Sequence, residues 1–151
     1  MTIGIFISLT TNCATQPFVT NTDILAQDGD YQRLSQQYPD FAKREHRFKL
    51  GNVWQLVEAP LPYMPNEAIK KKKPGCVALL FVIEENGLVG FHKVIDAEPS
   101  NLFNESALKT IQRYRYQPAE NAEPTSVLTL QLIKFSFGGR DLKVDKYCDQ
   151  F

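Results

Sequence analysis

Side chains able to carry chemistry are few and widely separated. Cys13, Cys76, Cys148, His46 and His92 are the only thiol and imidazole groups in 151 residues. A structural zinc site draws its ligands from close pairs, and no Cys-x-x-Cys pair exists, so no metal is expected. A catalytic base at neutral pH would have to be His46 or His92, and His92 has no evident Ser, Cys or Asp partner, so no catalytic residue is assigned and an enzyme is not expected. An odd number of cysteines leaves one thiol free, lipidated or intermolecular in an exported protein. A Cys76–Cys148 disulfide would require the tail to fold back over the strand that contains Cys76. The preferred reading is a small, buried, apolar Cys76. The run Lys70–Lys73 reads as a solvated last helical turn, not a phosphate or membrane contact.

The charge balance argues in the same direction. Seventeen basic residues meet seventeen acidic ones. The split is 5 to 6 before Pro60, 9 to 8 from Pro60 to Phe137 and 3 to 3 beyond, so no basic face is available to hold nucleic acid. No cofactor is expected either. The apolar stretch Ile3 to Leu9 is far shorter than the roughly 20 residues a membrane span needs. It has the character of a degraded secretory core, without a preceding basic residue. Cys13 follows Leu9-Thr10-Thr11-Asn12 and is the lipidation candidate, although Asn12 stands where a small residue belongs.

Four segments follow from the patterning: a signal-like or flexible stretch 1–22, a helical extension 23–59 ending in a short strand, a module 60–137 and a charged tail 138–151. In the extension, Tyr31, Leu34 and Tyr38 recur at helical spacing. Pro39 is placed to open a second short helix with Phe41 on its apolar side. Val53–Val57 reads as a strand carrying the single tryptophan, Trp54, as a core residue. In the module, Pro65 opens a helix that Pro74 and Gly75 end. Cys76–Ile83 then forms a strand whose two faces are both apolar, Val77, Leu79, Phe81 and Ile83 on one and Ala78, Leu80 and Val82 on the other. A second layer must therefore cover the far face, and the helices before Pro60 are the nearest candidates.

Glu84-Glu85-Asn86-Gly87 makes a hairpin turn, with Asn86 and Gly87 at positive φ, and Leu88–Ile95 returns antiparallel. After a loop at Asp96–Asn101, with Ser100 or Asn101 as the cap, Phe103, Ala107, Leu108, Ile111 and Tyr114 line one helical stripe that Pro118 terminates. Ser126–Phe137 is the last, long strand. The predicted fold is α+β: a β-β-α-β antiparallel sheet with one main helix packed on it and a helical N-terminal extension.

The run Ala97-Glu98-Pro99-Ser100-Asn101-Leu102-Phe103, the helix, and then Tyr114-Arg115-Tyr116-Gln117-Pro118-Ala119 resemble the signatures that flank the helix in C-terminal domains of the TonB energy-transducer family. Gly75-x-Val77, Phe81-x-Ile83 and the turn at Gly87 are similar as well. The chain departs from the family pattern at Met64, which fills a tyrosine position beside Tyr63, and at Ala122, where glycine is usual.

The resemblance implies capture of a short extended peptide from an outer-membrane transporter or another envelope protein, in the periplasm, by strand addition at a sheet edge. The implied partner-binding residues are Val127, Leu128, Thr129, Leu130, Gln131 and Leu132 on the last strand, with Tyr63 and Pro65 beside it. Attachment to a membrane would run only through lipid at Cys13. Pairing of the last strand with its copy, giving a homodimer that serves envelope assembly, is the alternative.

Overall fold

The apolar stretch after Pro74 is a strand buried at every one of its nine residues. The computed structural model describes residues 20–138 and 142–151. In chain order the elements are α1 (Asn21–Gln27), α2 (Gly29–Leu34), β1 (Asp40–Phe41), α3 (Arg44–Arg47), a 3₁₀ turn (Leu50–Asn52), β2 (Trp54–Glu58), α4 (Asn66–Lys71), β3 (Gly75–Ile83), β4 (Val89–Glu98), α5 (Asn104–Ile111), β5 (Arg115–Pro118), β6 (Val127–Phe135) and α6 (Leu142–Cys148). The main sheet has the order β1-β6-β3-β4, and β2 pairs with β5 in a separate ribbon. The mixed α+β architecture is the one predicted.

β3 pairs antiparallel with β4 on one side and, from Gly75↔Phe135 to Ile83↔Val127, with β6 on the other. The turn into β4 needs left-handed backbone at Gly87 alone, at φ 77°. Asn86 instead uses its side chain, whose Oδ1 accepts the Leu88 N–H at 3.0 Å. A Cβ on Gly87 would lie 2.0 Å from the Tyr116 carbonyl oxygen, because the hairpin tip is pressed against β5. β4 continues to Glu98, through residues expected as loop.

On one face of the sheet, Phe103, Ala107 and Ile111 bury Val77, Leu79, Phe81 and Ile83. The rings of Phe103 and Phe135 stack with centroids 4.3 Å apart. The helix is shorter than the stripe implies: it ends at Ile111, and Arg115–Pro118 is strand. Tyr114 and Tyr116 are both buried while Gln117 is exposed, so the period changes from helical to alternate exactly where the aromatic pair begins to serve the second ribbon. Phe103 occupies the N-cap position without a capping side chain, in place of Ser100 or Asn101. Pro65 likewise precedes α4, which starts at Asn66.

The other face is covered by the extension, as the two-sided strand requires. Leu25, Tyr31, Leu34 and Ala42 pack with Phe151 on Ala78, Leu80, Val82, Leu128 and Leu130. Thr20 and Asp23 form a reciprocal capping box at the start of α1, so the expected linker does not reach Thr22. Ile3–Leu9 and Cys13 lie outside the described residues. The short helix expected at Pro39 is also corrected. Asp40 and Phe41 are strand, and α3 begins at Arg44. A proline disfavours helix at the residue before it, and the neighbouring β6 offers this segment backbone partners.

α6 returns to the sheet, where Val144 and Cys148 join Cys76 in a small cluster. Cys76 and Cys148 are disulfide-bonded, with Cα atoms 6.0 Å apart, which corrects the preferred reading of a free, buried Cys76. No helix among the described residues is long and apolar enough to cross a membrane.

Candidate functional site

β6 has a polypeptide neighbour along its whole length on one side only, and its other side is the candidate site. Its side chains serve the two cores alternately. Val127, Ile133 and Phe135 face α5, and Leu128 and Leu130 face the extension. Val127, Leu128, Thr129 and Leu130 are buried, and Gln131 and Leu132 half-buried. What these six residues can offer a partner is therefore backbone, not side chains.

The outward backbone is divided in two. β1 lies parallel to the first part, pairing Asp40 with Leu128 and Phe41 with Thr129. The Leu128 N–H donates to the Pro39 carbonyl at 3.0 Å, and Thr129 Oγ1 donates to the Phe41 carbonyl at 3.5 Å. The expectation of a strand open along its whole length is thereby corrected: Leu128 and Thr129 already have a partner. Beyond Thr129 no strand among the described residues adjoins β6 on this side. Backbone groups repeat their direction every second residue, so Leu130, Leu132 and Lys134 aim theirs to this side as Leu128 does; the parallel register of Phe41 with Thr129 gives the Leu130 N–H to β1, and the open groups begin at the Leu130 carbonyl. Gln131 Nε2 donates to the Leu132 carbonyl at 2.9 Å and satisfies one of these acceptors locally.

Lys134, at the far end of this edge, is paired with Asp145 of α6. It borders an open cleft of about 960 Å³ lined by Asn21, Arg44, Glu45, Asp145 and Asp149 among others. Asn21 is 3% exposed and neither polar atom of its side chain has a hydrogen-bond partner. The charges around the cleft balance closely, so it favours no ion of one sign.

Tyr63 and Pro65, expected beside the last strand, are tied to α5 and α4. The Tyr63 carbonyl accepts from Ser106 Oγ at 2.5 Å, and Lys109 Nζ lies 5.9 Å from the Tyr63 ring centroid. Both ties run to α5, which packs on the sheet face shared by β3, β4 and β6. Pro65 is half-buried and its carbonyl accepts the Ile69 N–H, which makes it the N-cap of α4.

Leu56, Val57 and Leu61 are exposed apolar side chains to which the sequence assigned no role, alongside Tyr63, which it did name; Leu61 is 91% exposed. The signal was present in Leu61 and Tyr63, which alternate with Pro60 and Pro62 in a segment too proline-rich to turn inward as helix or paired strand.

The His92 imidazole is engaged structurally. His92 Nδ1 lies 2.7 Å from the Gly90 carbonyl, which can only accept, so this nitrogen carries the proton. Nε2 lies 2.7 Å from the Gln112 amide nitrogen. Among the described residues no three His, Cys, Asp or Glu side chains gather as a metal site would require.

Comparison with known proteins follows this geometry. The family model described as Gram-negative bacterial TonB protein C-terminal matches residues 60–137. No curated protein matches the chain. The chain is similar to the solution NMR structure of the Pseudomonas aeruginosa TonB CTD, with 19% identity and a TM-score of 0.52, over 58% of this chain and 90% of that one. It is also similar to a solved structure of the tonb2 protein from Vibrio anguillarum, with 26% identity and a TM-score of 0.41, over 52% of this chain and 76% of that one. At 19% identity the first likeness speaks to the fold, and the family match carries the module boundaries.

Proposed function

We propose that this chain, which belongs to the Gram-negative bacterial TonB protein C-terminal family, captures an extended segment of an envelope protein by adding it as a strand to β6. The observation that carries this reading is the contrast within β6 itself. Its side chains are committed to two cores, while from the Leu130 carbonyl onward no strand among the described residues lies beside its outward backbone. Peptide N–H and C=O groups at such an edge are completed most economically by another extended chain, independent of its side chains. Specificity then falls to what surrounds the edge, and the cleft at Lys134 is the nearest concave surface.

A periplasmic site of action fits the Cys76–Cys148 disulfide, since such bonds persist in oxidising compartments. An outer-membrane transporter segment is the partner class that the family membership favours, and lipid at Cys13 is the proposed means of attachment. Nothing in this mode of binding calls for catalysis or a cofactor.

Capture from an envelope extract by the full chain tests the reading, with Lys134→Pro and Lys134→Ala alongside. Proline removes an outward N–H, whereas alanine removes only the ion pair with Asp145. The expected result is recovery of a β-barrel transporter or another envelope protein by the wild type and by Lys134→Ala, and its loss with Lys134→Pro. Equal recovery by all three would mean that the edge is not the binding surface. Self-association through the same edge would appear as a concentration-dependent mass in sedimentation, abolished by the same proline.

A further inference from the structure

The two-residue strand β1 stands where an added strand would begin. Resting on the strand-addition reading of β6, we propose that Pro39–Phe41 is a resident substitute for the partner strand, held in place by Asp40 and released when the partner takes over the edge. Asp40 is tied at both oxygens. Oδ2 accepts from the Tyr31 hydroxyl at 2.6 Å and Oδ1 from the Ala42 N–H at 2.9 Å. Arg47 Nη2 donates to the Ala42 carbonyl at 3.1 Å and closes the turn that follows. These few polar bonds fix the segment's path. The ladder it forms with β6 is only two residues long.

The rest of the extension does not depend on that ladder. Leu25, Tyr31, Leu34 and Ala42 are buried on the even-numbered face of the sheet. Lys93 bridges Asp28 and Asp30 at 2.8 and 2.9 Å from the β4 side. Asp40 and Phe41, in contrast, are half-buried, and α3, which follows, contains no buried residue. The segment that covers the edge is thus less embedded than the residues that flank it, Tyr31 and Leu34 before and Ala42 after. Opening it costs a short ladder, the Asp40 bonds and the packing of Phe41 on the main core, while Leu25, Tyr31 and Leu34 keep the other face covered. A local opening of this kind belongs at the low end of a fold's stability spectrum.

The arrangement has a functional consequence. Exposed strand edges recruit strands indiscriminately, and a short intramolecular strand limits what remains available to the stretch from the Leu130 carbonyl to Phe135. A partner that pairs only with this remainder binds without displacing β1. A longer one competes with a segment that is always present at high effective concentration, which sets a threshold of affinity for productive capture.

Asp40→Ala in the full chain tests the proposal by two readouts. Amide exchange at Leu128, whose N–H donates to Pro39, is expected to accelerate at least tenfold, with the amides that join β3 to β4 unchanged as evidence that the fold persists. Tyr31→Phe removes the hydroxyl bond alone and should shift the same amide by a smaller factor. Equal Leu128 exchange in wild type and both variants, as slow as in β3, would make β1 a permanent part of the sheet and overturn the proposal. In the envelope-extract capture, Asp40→Ala is expected to recover severalfold more partner than wild type, and equal recovery also counts against release. Failure of every variant to capture any protein would strike the strand-addition reading, while the exchange measurement would still decide whether β1 lets go.

Discussion

The Trp54 indole N–H donates to the Thr125 carbonyl at 2.9 Å, fastening β2 to the turn that leads into β6. Trp54 is 2% exposed and packs in the same core as Phe81 and Tyr116. Trp54→Ala should cost about 3 to 5 kcal/mol of stability. Trp54→Phe, which keeps an aromatic ring but strands the Thr125 carbonyl, should cost about 1 to 3 kcal/mol. Urea unfolding monitored by far-UV circular dichroism measures both, and a neutral Trp54→Phe would show that the ribbon is held without this bond.

Gly87 is the second structural pivot. Its φ of 77° and the 2.0 Å approach of a Cβ to the Tyr116 oxygen both oppose any side chain. Gly87→Ala is expected to destabilise by more than about 1 kcal/mol. Gly51→Ala, where an added Cβ meets nothing within 4 Å, should stay within about 0.5 kcal/mol of wild type. Thermal unfolding of the pair separates a specific turn requirement from a general sensitivity to lost glycine.

The disulfide closes a long loop, because Cys76 and Cys148 are 72 residues apart. Removing it by Cys148→Ser should lower stability by about 2 to 5 kcal/mol, through the entropy returned to the unfolded chain. Denaturant titration of the wild type with and without reductant should give a loss of similar size, and the Ser variant should be indifferent to reductant. Insensitivity of the wild type would indicate that α6 is held by packing alone.

Alkaline pH should weaken the fold. Burial, with a hydrogen bond to Asp40 and nearby carboxylates adding to it, raises the Tyr31 hydroxyl well above its ordinary value near 10, and burial beside Tyr114 raises Tyr116. Groups raised in the folded state confer stability that is whole below the unfolded value and lost as pH climbs through the folded one. Lys93, raised by its bonds to Asp28 and Asp30, acts in the same direction. The urea midpoint is therefore expected to be flat from about pH 7 to 9 and to fall above about 10. Tyr116→Phe should flatten that fall, and an unchanged slope would remove Tyr116 as a contributor.

Much of this structure could be read from local pattern. The two-sided apolar run at Val77–Ile83 called for cover on both faces, and the extension supplies it. The stripe through Phe103, Ala107 and Ile111 located α5 because its period persists for two turns. Legibility failed where two periods agreed by coincidence. Tyr114 fits the helical stripe and also the alternate spacing with Tyr116, but it lies between α5 and β5, and pairing with β2, distant in sequence, makes strand of Arg115–Pro118. β1 is too short to show any period. The disulfide depended on where the tail returns, a distance that no local feature encodes.

The candidate edge divides along the same line. Its strand was visible, since Val127–Phe135 is a long β-branched and leucine-rich run. Its partial occupancy was not visible, because Asp40 and Phe41 acquire their role only from the position of Leu128 and Thr129 across the sheet. Tyr63, likewise, belongs to α5 through the hydroxyl of Ser106, one of two buried polar residues, with Thr110, on the helix.

The burial of β3 on both sides bears on how this protein can be trimmed. Cut to the family boundaries at 60 and 137, the remaining piece would lose Leu25, Tyr31, Leu34 and Phe151 and turn Ala78, Leu80, Val82, Leu128 and Leu130 out to solvent. A greasy plane of that kind seeks contact with others like it. Such a fragment would clump for reasons unrelated to its biology.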